Sequence, residues 1–214
     1  MKSTLTNMLL VLFTITLLSS AMVGGVYMLT EKPIAEAREA AKQASLAAVL
    51  PAYDRAESWQ MDAHGVQLTV NKAFSGDEVV GYAIETLSSK GYSGEVKLMV
   101  GFDTAGKILN ISVLQQKETP GLGANMQRED NSLLRSFRSK QASDIKMAVR
   151  KDGGDVDALT AATISSRAYT EAVALAYEVY KVASGESSVV GDVATGASQQ
   201  ANGTKEGRQN GKQR

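Results

Sequence analysis

The fold is decided by two apolar runs, Val96-Lys97-Leu98-Met99-Val100-Gly101-Phe102 and Ile108-Leu109-Asn110-Ile111-Ser112-Val113-Leu114, which flank the turn sequence Asp103-Thr104-Ala105-Gly106. Both runs have the length and the Val, Ile and Phe content of strands, and the segment between them contains a glycine. A four-residue connection of this kind joins neighbouring antiparallel strands. The sequence therefore predicts a β-hairpin near the middle of the chain.

Further strands are predicted on both sides of this hairpin. Val66 to Val70 and Val79 to Thr86 precede it, separated by the turn sequence Ser75-Gly76-Asp77. Another short strand is predicted at Ile145 to Val149, after the hairpin. Because the connections between the first four runs are short, we expect successive antiparallel neighbours in one sheet.

Two helices are predicted in the second half of the chain. A short helix is expected over Asn131 to Lys140 and a longer one over Ser165 to Ala183. The longer segment repeats apolar residues at helical spacing, at Ala168, Ala172, Leu175, Ala176 and Val179. The sequence thus predicts one α+β domain over residues 66–184, with an antiparallel sheet and flanking helices.

The N-terminal segment is predicted to be a transmembrane anchor over residues 1–30. Residues 7–30 carry no charge and are long enough to cross a bilayer core of about 30 Å as a helix. The alternative is a cleavable signal peptide with Ser19-Ser20-Ala21 as its cleavage site, but apolar residues resume at Met22 and favour the anchor. A juxtamembrane helix is predicted from Pro33 to Leu50, within a helix-and-linker segment over residues 31–65.

Charges beside the anchor give a weak indication of its orientation. Lys2 precedes it, whereas Lys32, Arg38 and Lys42 follow it. The positive-inside rule therefore leans toward a cytoplasmic domain, although large domains translocate largely regardless of charge.

Composition excludes several classes of function. The 23 basic and 23 acidic side chains cancel, so no overall charge favours nucleic acid. Cysteine is absent and His64 is the single histidine, which argues against iron–sulfur ligation, a metal site and a catalytic triad. Residues 185–214 contain few large apolar side chains and are predicted to be a disordered polar tail. The tail has cations that would suit a partner or anionic lipid, at Lys205, Arg208, Lys212 and Arg214.

Two stretches are candidates for a binding site. Glu118-Thr119-Pro120-Gly121-Leu122-Gly123 follows a predicted strand, and its glycines would let a planar ligand approach the backbone, or would simply form a tight turn. Asp157-Ala158-Leu159-Thr160-Ala161-Ala162-Thr163-Ile164-Ser165-Ser166 leads into the last helix. Its hydroxyls would either cap that helix or place a phosphate against the free N–H groups at its start. Residue types alone do not decide between these alternatives.

The second stretch resembles the Asp-x-x-(Ser/Thr)-Gly-Ala-Thr attachment motif of the FMN-binding domain family, in which the last threonine is joined to FMN by a phosphoester. The Glu-Thr-Pro-Gly-Leu-Gly run resembles that family's second hallmark, at the expected distance upstream. With one N-terminal anchor and this length, residues 1 to about 184 resemble the G subunits of Rnf electron-transport complexes within that family. Two departures are Ala161, where glycine is usual, and Gln116, where many members have histidine.

The resemblance implies roles for individual residues. Thr163 would carry FMN covalently, and a flavin transferase that uses FAD and Mg²⁺ would read the rest of the attachment signature, at Asp157, Thr160 and Ala162. Ser165 or Ser166 would hold the phosphate or cap the helix. The residues implied to lie against the flavin are Glu118, Thr119, Gly121, Leu122 and Gly123. No catalytic residue and no metal ligand is expected.

The implied function is electron transfer between other membrane subunits of a complex that couples ferredoxin and NAD redox chemistry to Na⁺ or H⁺ translocation. In this family the flavin is attached outside the cytoplasm, so residues 31–214 are expected on the outer face of the inner membrane. One alternative is the C subunit of the Na⁺-translocating NADH:quinone reductase, whose chain is typically longer. Another is a membrane-anchored binding or assembly module without covalent flavin. A hydrolase is least favoured, because no histidine accompanies the threonines.

Overall fold

A computed structural model of the protein describes residues 4–186. One sheet of six antiparallel strands runs in sequence order. Its strands are β1 (Arg55–Ala63), β2 (Val66–Ser75), β3 (Glu78–Ser88), β4 (Val96–Phe102), β5 (Lys107–Gln115) and β6 (Lys140–Gln141). The helices are α1 (Leu5–Val49), α2 (Ser132–Phe137) and α3 (Thr163–Ala183), and short 3₁₀ segments lie at Gly123–Gln127, Ala142–Asp144 and Arg150–Asp152.

Alternation along the strands gives the sheet two apolar faces. On β4, Leu98, Val100 and Phe102 belong to the larger core, which also contains the inward side chains of α2 and α3. Met99, between them, faces the smaller core together with the last turn of α1 at Leu46 and Val49. Since successive strand residues point to opposite faces, the sheet lies between α3 on one side and the end of α1 on the other.

Helix α3 is fixed against the larger face by packing and by one buried hydrogen bond. The predicted apolar positions Ala168, Ala172, Ala176 and Val179 are fully buried, and Leu175 is half-buried. The Thr86 hydroxyl on β3 donates to the Ala172 carbonyl at 2.9 Å. Packing on the sheet thus fixes the position of α3, including that of its first turn.

The described residues divide into two compact units, residues 4–43 and residues 44–186. The first contains most of α1, in which large apolar side chains such as Leu9, Phe13 and Leu18 are exposed. By length and composition α1 is suited to crossing a membrane. It is the only such helix among residues 4–186.

The predicted α+β fold is confirmed, and the four predicted strands from Val66 to Leu114 lie within β2 to β5. The predicted hairpin is β4–β5. The short helix is present as α2, and the long helix begins two residues earlier than predicted.

Three predictions about secondary structure are wrong. Residues 55–63, predicted as part of the linker, form edge strand β1. Only the last residues of this strand are buried, so its sequence lacks a clear apolar alternation. Helix α1 continues through Pro33, so no separate helix begins there; the Ala-rich sequence that follows favours helix strongly enough to offset the proline. Ile145 to Val149 is not a strand, because its β pairing among the described residues is limited to an isolated bridge between Val149 and Val156, in which Val156 N–H donates to the Ala148 carbonyl at 3.1 Å. The predicted disordered tail lies outside the described residues from 187 onward.

Candidate functional site

Both stretches singled out in the sequence border one cavity of about 560 Å³, a size within the usual range of about 300–1,000 Å³ for small-molecule sites. The first stretch follows β5, and the second leads into α3. The fold therefore brings together segments that are about 40 residues apart. The cavity is lined by Tyr92, Glu118, Thr119, Leu122, Gly123, Ala161, Ala162, Thr163, Ile164 and Ser165.

The start of α3 faces this cavity without a side-chain cap. Ala162 is the N-cap residue and offers no side-chain acceptor. The first helical bond runs from Ser166 N–H to the Ala162 carbonyl at 3.0 Å, so the N–H groups of Thr163, Ile164 and Ser165 have no partner within the helix. The interpretation of the hydroxyl cluster as an N-cap is therefore wrong. The positive end of the helix dipole is available to an anion.

Thr163 differs from the neighbouring hydroxyls. Its side chain is half-buried, lines the cavity, and makes no hydrogen bond to any residue from 4 to 186. The Ser165 hydroxyl donates to the Glu118 carboxylate at 2.6 Å, and the Ser166 hydroxyl donates to the Ala162 carbonyl at 2.8 Å. Thr163 is thus the hydroxyl of this group with both access to the cavity and no competing internal bond.

Ala161 has a left-handed backbone conformation, with φ of 56°. A residue with a Cβ atom is strained there by roughly 1–2 kcal/mol, and glycine would adopt this conformation without that strain. The conformation turns the chain so that Ala162 is buried while Thr163 reaches the cavity. Ala161 thus forms the turn with more backbone strain than a glycine would have there.

A buried carboxylate connects the elements around the cavity. Glu118 is 4% exposed, and its Oε2 accepts the hydrogen bond from Ser165 on α3. Its Oε1 accepts from the backbone N–H of Ser93, in the loop between β3 and β4, at 3.1 Å. Gly123 must lack a side chain here, because a Cβ atom would lie 2.5 Å from Ser165 Oγ and 2.8 Å from Glu118 Oε2.

Several residues expected at the site lie elsewhere. Asp157 is exposed and forms an ion pair with Arg150, and Thr160 is exposed outside the cavity lining. Gly121 is also exposed and is not part of the lining. Ser166 is fully buried, where its hydroxyl accepts from Leu159 N–H at 2.9 Å and so supports the loop before α3 from within.

Three lining residues, Tyr92, Ala161 and Ile164, were not among the site residues expected from the sequence. Tyr92 lies in the loop between β3 and β4, which carries no motif, and its position depends on the tertiary fold. Ile164 follows Thr163 within the second stretch, just before the predicted helix, and no role was expected for it. An exposed apolar residue in the first turn of a helix is the one signal that would have identified it.

One ion pair fixes the loop before α3 to the helix itself. The Arg167 guanidinium donates to both carboxylate oxygens of Asp152, each at 2.7 Å. These hydrogen bonds and the positive charge hold the pKa of Asp152 below its ordinary value. The pair is exposed, so it mainly sets the geometry of the approach to the site.

Comparison with known proteins agrees with this geometry. Residues 91–178, which include both stretches and Tyr92, match the family model of the FMN-binding domain. A protein of Pasteurella multocida, named as the G subunit of the ion-translocating oxidoreductase complex, is 33% identical over 173 residues, which cover 74% of this chain and 85% of that protein.

Proteins of the same name in Shewanella amazonensis and Vibrio parahaemolyticus are 42% and 43% identical over 109 and 99 residues. These alignments cover 50% and 45% of this chain and 51% and 47% of the relatives, so the chain spans about half the length of these two proteins. The match to the Pasteurella protein extends over most of both sequences. The chain belongs to the family formed by the G subunits of ion-translocating oxidoreductase complexes.

Proposed function

We propose that this protein is an electron-transfer subunit that carries FMN covalently on Thr163. The observation that carries the proposal is the convergence of both motifs on one cavity, with the Thr163 hydroxyl at the uncapped start of α3. The match to the FMN-binding domain and the membership of the G-subunit family support the choice of ligand.

The residues present fit a phosphate-linked planar ligand. A phosphate on Thr163 would accept hydrogen bonds from the free N–H groups at the first turn of α3 and would be stabilised by the helix dipole. The apolar side chains of Leu122 and Ile164 line the same cavity and would suit contact with the ring system. A bound flavin would supply the redox chemistry, while the protein supplies position and burial.

Attachment by a flavin transferase needs an accessible hydroxyl. In the proposed transfer, Thr163 Oγ1 forms a bond to the FMN phosphorus of FAD, and the bond between the two phosphates of FAD breaks. AMP leaves, and the hydroxyl proton is released. Thr163 suits this step because its hydroxyl has no internal partner among the described residues. Asp157 and Thr160, exposed on the approach to α3, are accessible to the transferase.

The proposed setting is a membrane complex. The relatives are named as subunits of an ion-translocating oxidoreductase complex, so we infer that other membrane subunits are the electron donor and acceptor. Helix α1 would anchor the chain in the inner membrane. The domain would lie on the outer face, and the complex would couple ferredoxin and NAD redox chemistry to Na⁺ or H⁺ translocation.

The test is intact-mass spectrometry of the denatured full-length chain after co-expression with a flavin transferase. The wild type is expected to gain the mass of one FMN less one water, and Thr163→Ala is expected to gain nothing. Thr104→Ala is the matched control, since it removes an exposed threonine hydroxyl in the turn between β4 and β5, outside the cavity lining, and it is expected to be labelled like the wild type.

Two results would contradict the proposal. One is an unmodified wild type alongside a control substrate that the same transferase labels, which would favour a binding or assembly module. The other is full labelling of Thr163→Ala, which would move the attachment to a different hydroxyl.

A further inference from the structure

Exposed large apolar side chains of the domain are concentrated at one place. Among the described residues that follow α1, three such side chains are exposed: Tyr92 at 69%, Leu122 at 41% and Ile164 at 46%. All three line the same cavity. Single exposed apolar residues need no explanation, but a set confined to the rim of one cavity indicates a surface that a ligand covers.

Tyr92 is the member of this set that the motifs do not account for. It lies in the loop between β3 and β4, in which Ser93 N–H donates to Oε1 of Glu118, whereas Ser165 on α3 donates to Oε2. Its side chain lines the cavity, is 69% exposed and has no aromatic partner among residues 4–186. Aromatic rings favour offset stacking with other planar systems.

The loop that carries Tyr92 is held by the same carboxylate that holds α3. Glu118 accepts from Ser93 N–H at 3.1 Å and from the Ser165 hydroxyl at 2.6 Å. Gly91 is also packed against this carboxylate, since a Cβ atom there would lie 2.7 Å from Glu118 Oε1. The position of Tyr92 is therefore linked through one buried side chain to the helix that starts at Thr163.

We propose that Tyr92 covers the flavin ring by stacking on it, and that Glu118 is the positioning residue that holds the Tyr92 loop against the start of α3. This inference rests on the proposed function, because it requires a flavin attached at Thr163. The ligand chemistry is that of a planar, electron-poor heteroaromatic ring. Leu122 and Ile164 complete the apolar rim around it.

Stacking on a tyrosine has a spectroscopic signature. A phenol in contact with an excited flavin transfers one electron to it, and the reduced flavin then returns that electron to the oxidised phenol. The flavin reaches its ground state without emitting light, and no net reaction occurs. Phenylalanine packs in the same way but is too difficult to oxidise to do this. Tyr92→Phe keeps an aromatic ring and removes the phenol hydroxyl. It therefore tests whether quenching of flavin emission requires the phenol.

The test is flavin emission per attached FMN in the detergent-solubilised full chain, with attachment measured by intact mass. The wild type is expected to be quenched, and Tyr92→Phe and Tyr92→Leu are expected to lose most of that quenching. Tyr53→Phe is the matched control, because Tyr53 packs on the smaller core and does not line the cavity. Its emission is expected to equal that of the wild type.

Glu118 is tested by its effect on Tyr92. Glu118→Ala releases the loop and is expected to raise emission although Tyr92 is present, with no further rise in the double variant with Tyr92→Leu. Glu118→Gln retains an acceptor for Ser93 N–H and is expected to restore quenching, even where Glu118→Ala fails to fold. Labelled Tyr92 variants with wild-type emission would overturn the inference. Absence of attached FMN from every chain would instead overturn the proposed function.

Discussion

Gly123→Ala is expected to disrupt the site by a contact that can be worked out from the structure. The new Cβ atom would lie 2.5 Å from Ser165 Oγ and 2.8 Å from both Cβ and Oε2 of Glu118, closer than a Cβ atom approaches its non-bonded neighbours in proteins. Relieving this contact costs about 1–3 kcal/mol for overpacking, and loss of the Ser165–Glu118 hydrogen bond costs a further 1.5–3 kcal/mol or so. Alanine also reduces the conformational entropy of the unfolded chain, and this stabilises the folded state by about 0.4–1 kcal/mol.

The net expectation for Gly123→Ala is a loss of about 1.5–5.5 kcal/mol in the free energy of unfolding, measured by urea denaturation. Gly121→Ala is the matched control, two residues away in the same loop. A Cβ atom at Gly121 meets nothing within 4 Å, but φ there is 78°, so this variant is expected to lose only about 1 kcal/mol through backbone strain. Equal losses in the two variants would refute the view that Gly123 is required for the close packing of Glu118 and Ser165.

Ala161→Gly is expected to stabilise the protein by about 0.5–1 kcal/mol, because glycine removes the strain of a left-handed φ of 56° and this outweighs its greater freedom in the unfolded chain. A lower melting temperature for Ala161→Gly would show that the turn is not strained. For Asp152, a carboxyl titration followed by NMR is expected to give a pKa below the ordinary value of about 3.9, and Arg167→Gln is expected to raise it toward that value. Because the folded pKa is the lower one, the pair stabilises the fold above about pH 4 and loses that effect as the pH falls through the folded pKa. An Asp152 pKa unchanged by Arg167→Gln would show that the pair does not form in solution.

The sequence predicted those parts of the fold whose patterns are local. The apolar runs of β2 to β5 and the repeat along α3 each contain their own signal, and the structure has these elements where they were expected. Strand β1 was missed because an edge strand with most of its side chains exposed lacks the alternation that identifies a strand. Pro33 was interpreted as a boundary because proline disfavours helix, but neighbouring residues outweigh one such cost.

The site was predictable to a similar extent. The two motifs identified the segments after β5 and before α3, and the structure brings these segments to one cavity. The sequence could not show that Glu118 bonds both Ser93 and Ser165, because those contacts depend on how three distant segments pack. The place of Tyr92 in the cavity lining could not be predicted for the same reason. Ser166, chosen for its hydroxyl, is buried and serves the loop before α3.

The most direct test of the account is to locate the flavin in protein isolated from its native membrane. Trypsin cuts after Lys151 and after Arg167, so one peptide contains Thr160, Thr163 and both serines of the motif. Fragmentation of this peptide is expected to place the FMN phosphate on Thr163. Fully labelled peptide with the phosphate on a different hydroxyl, or native protein without any flavin on this peptide, would contradict the central claim.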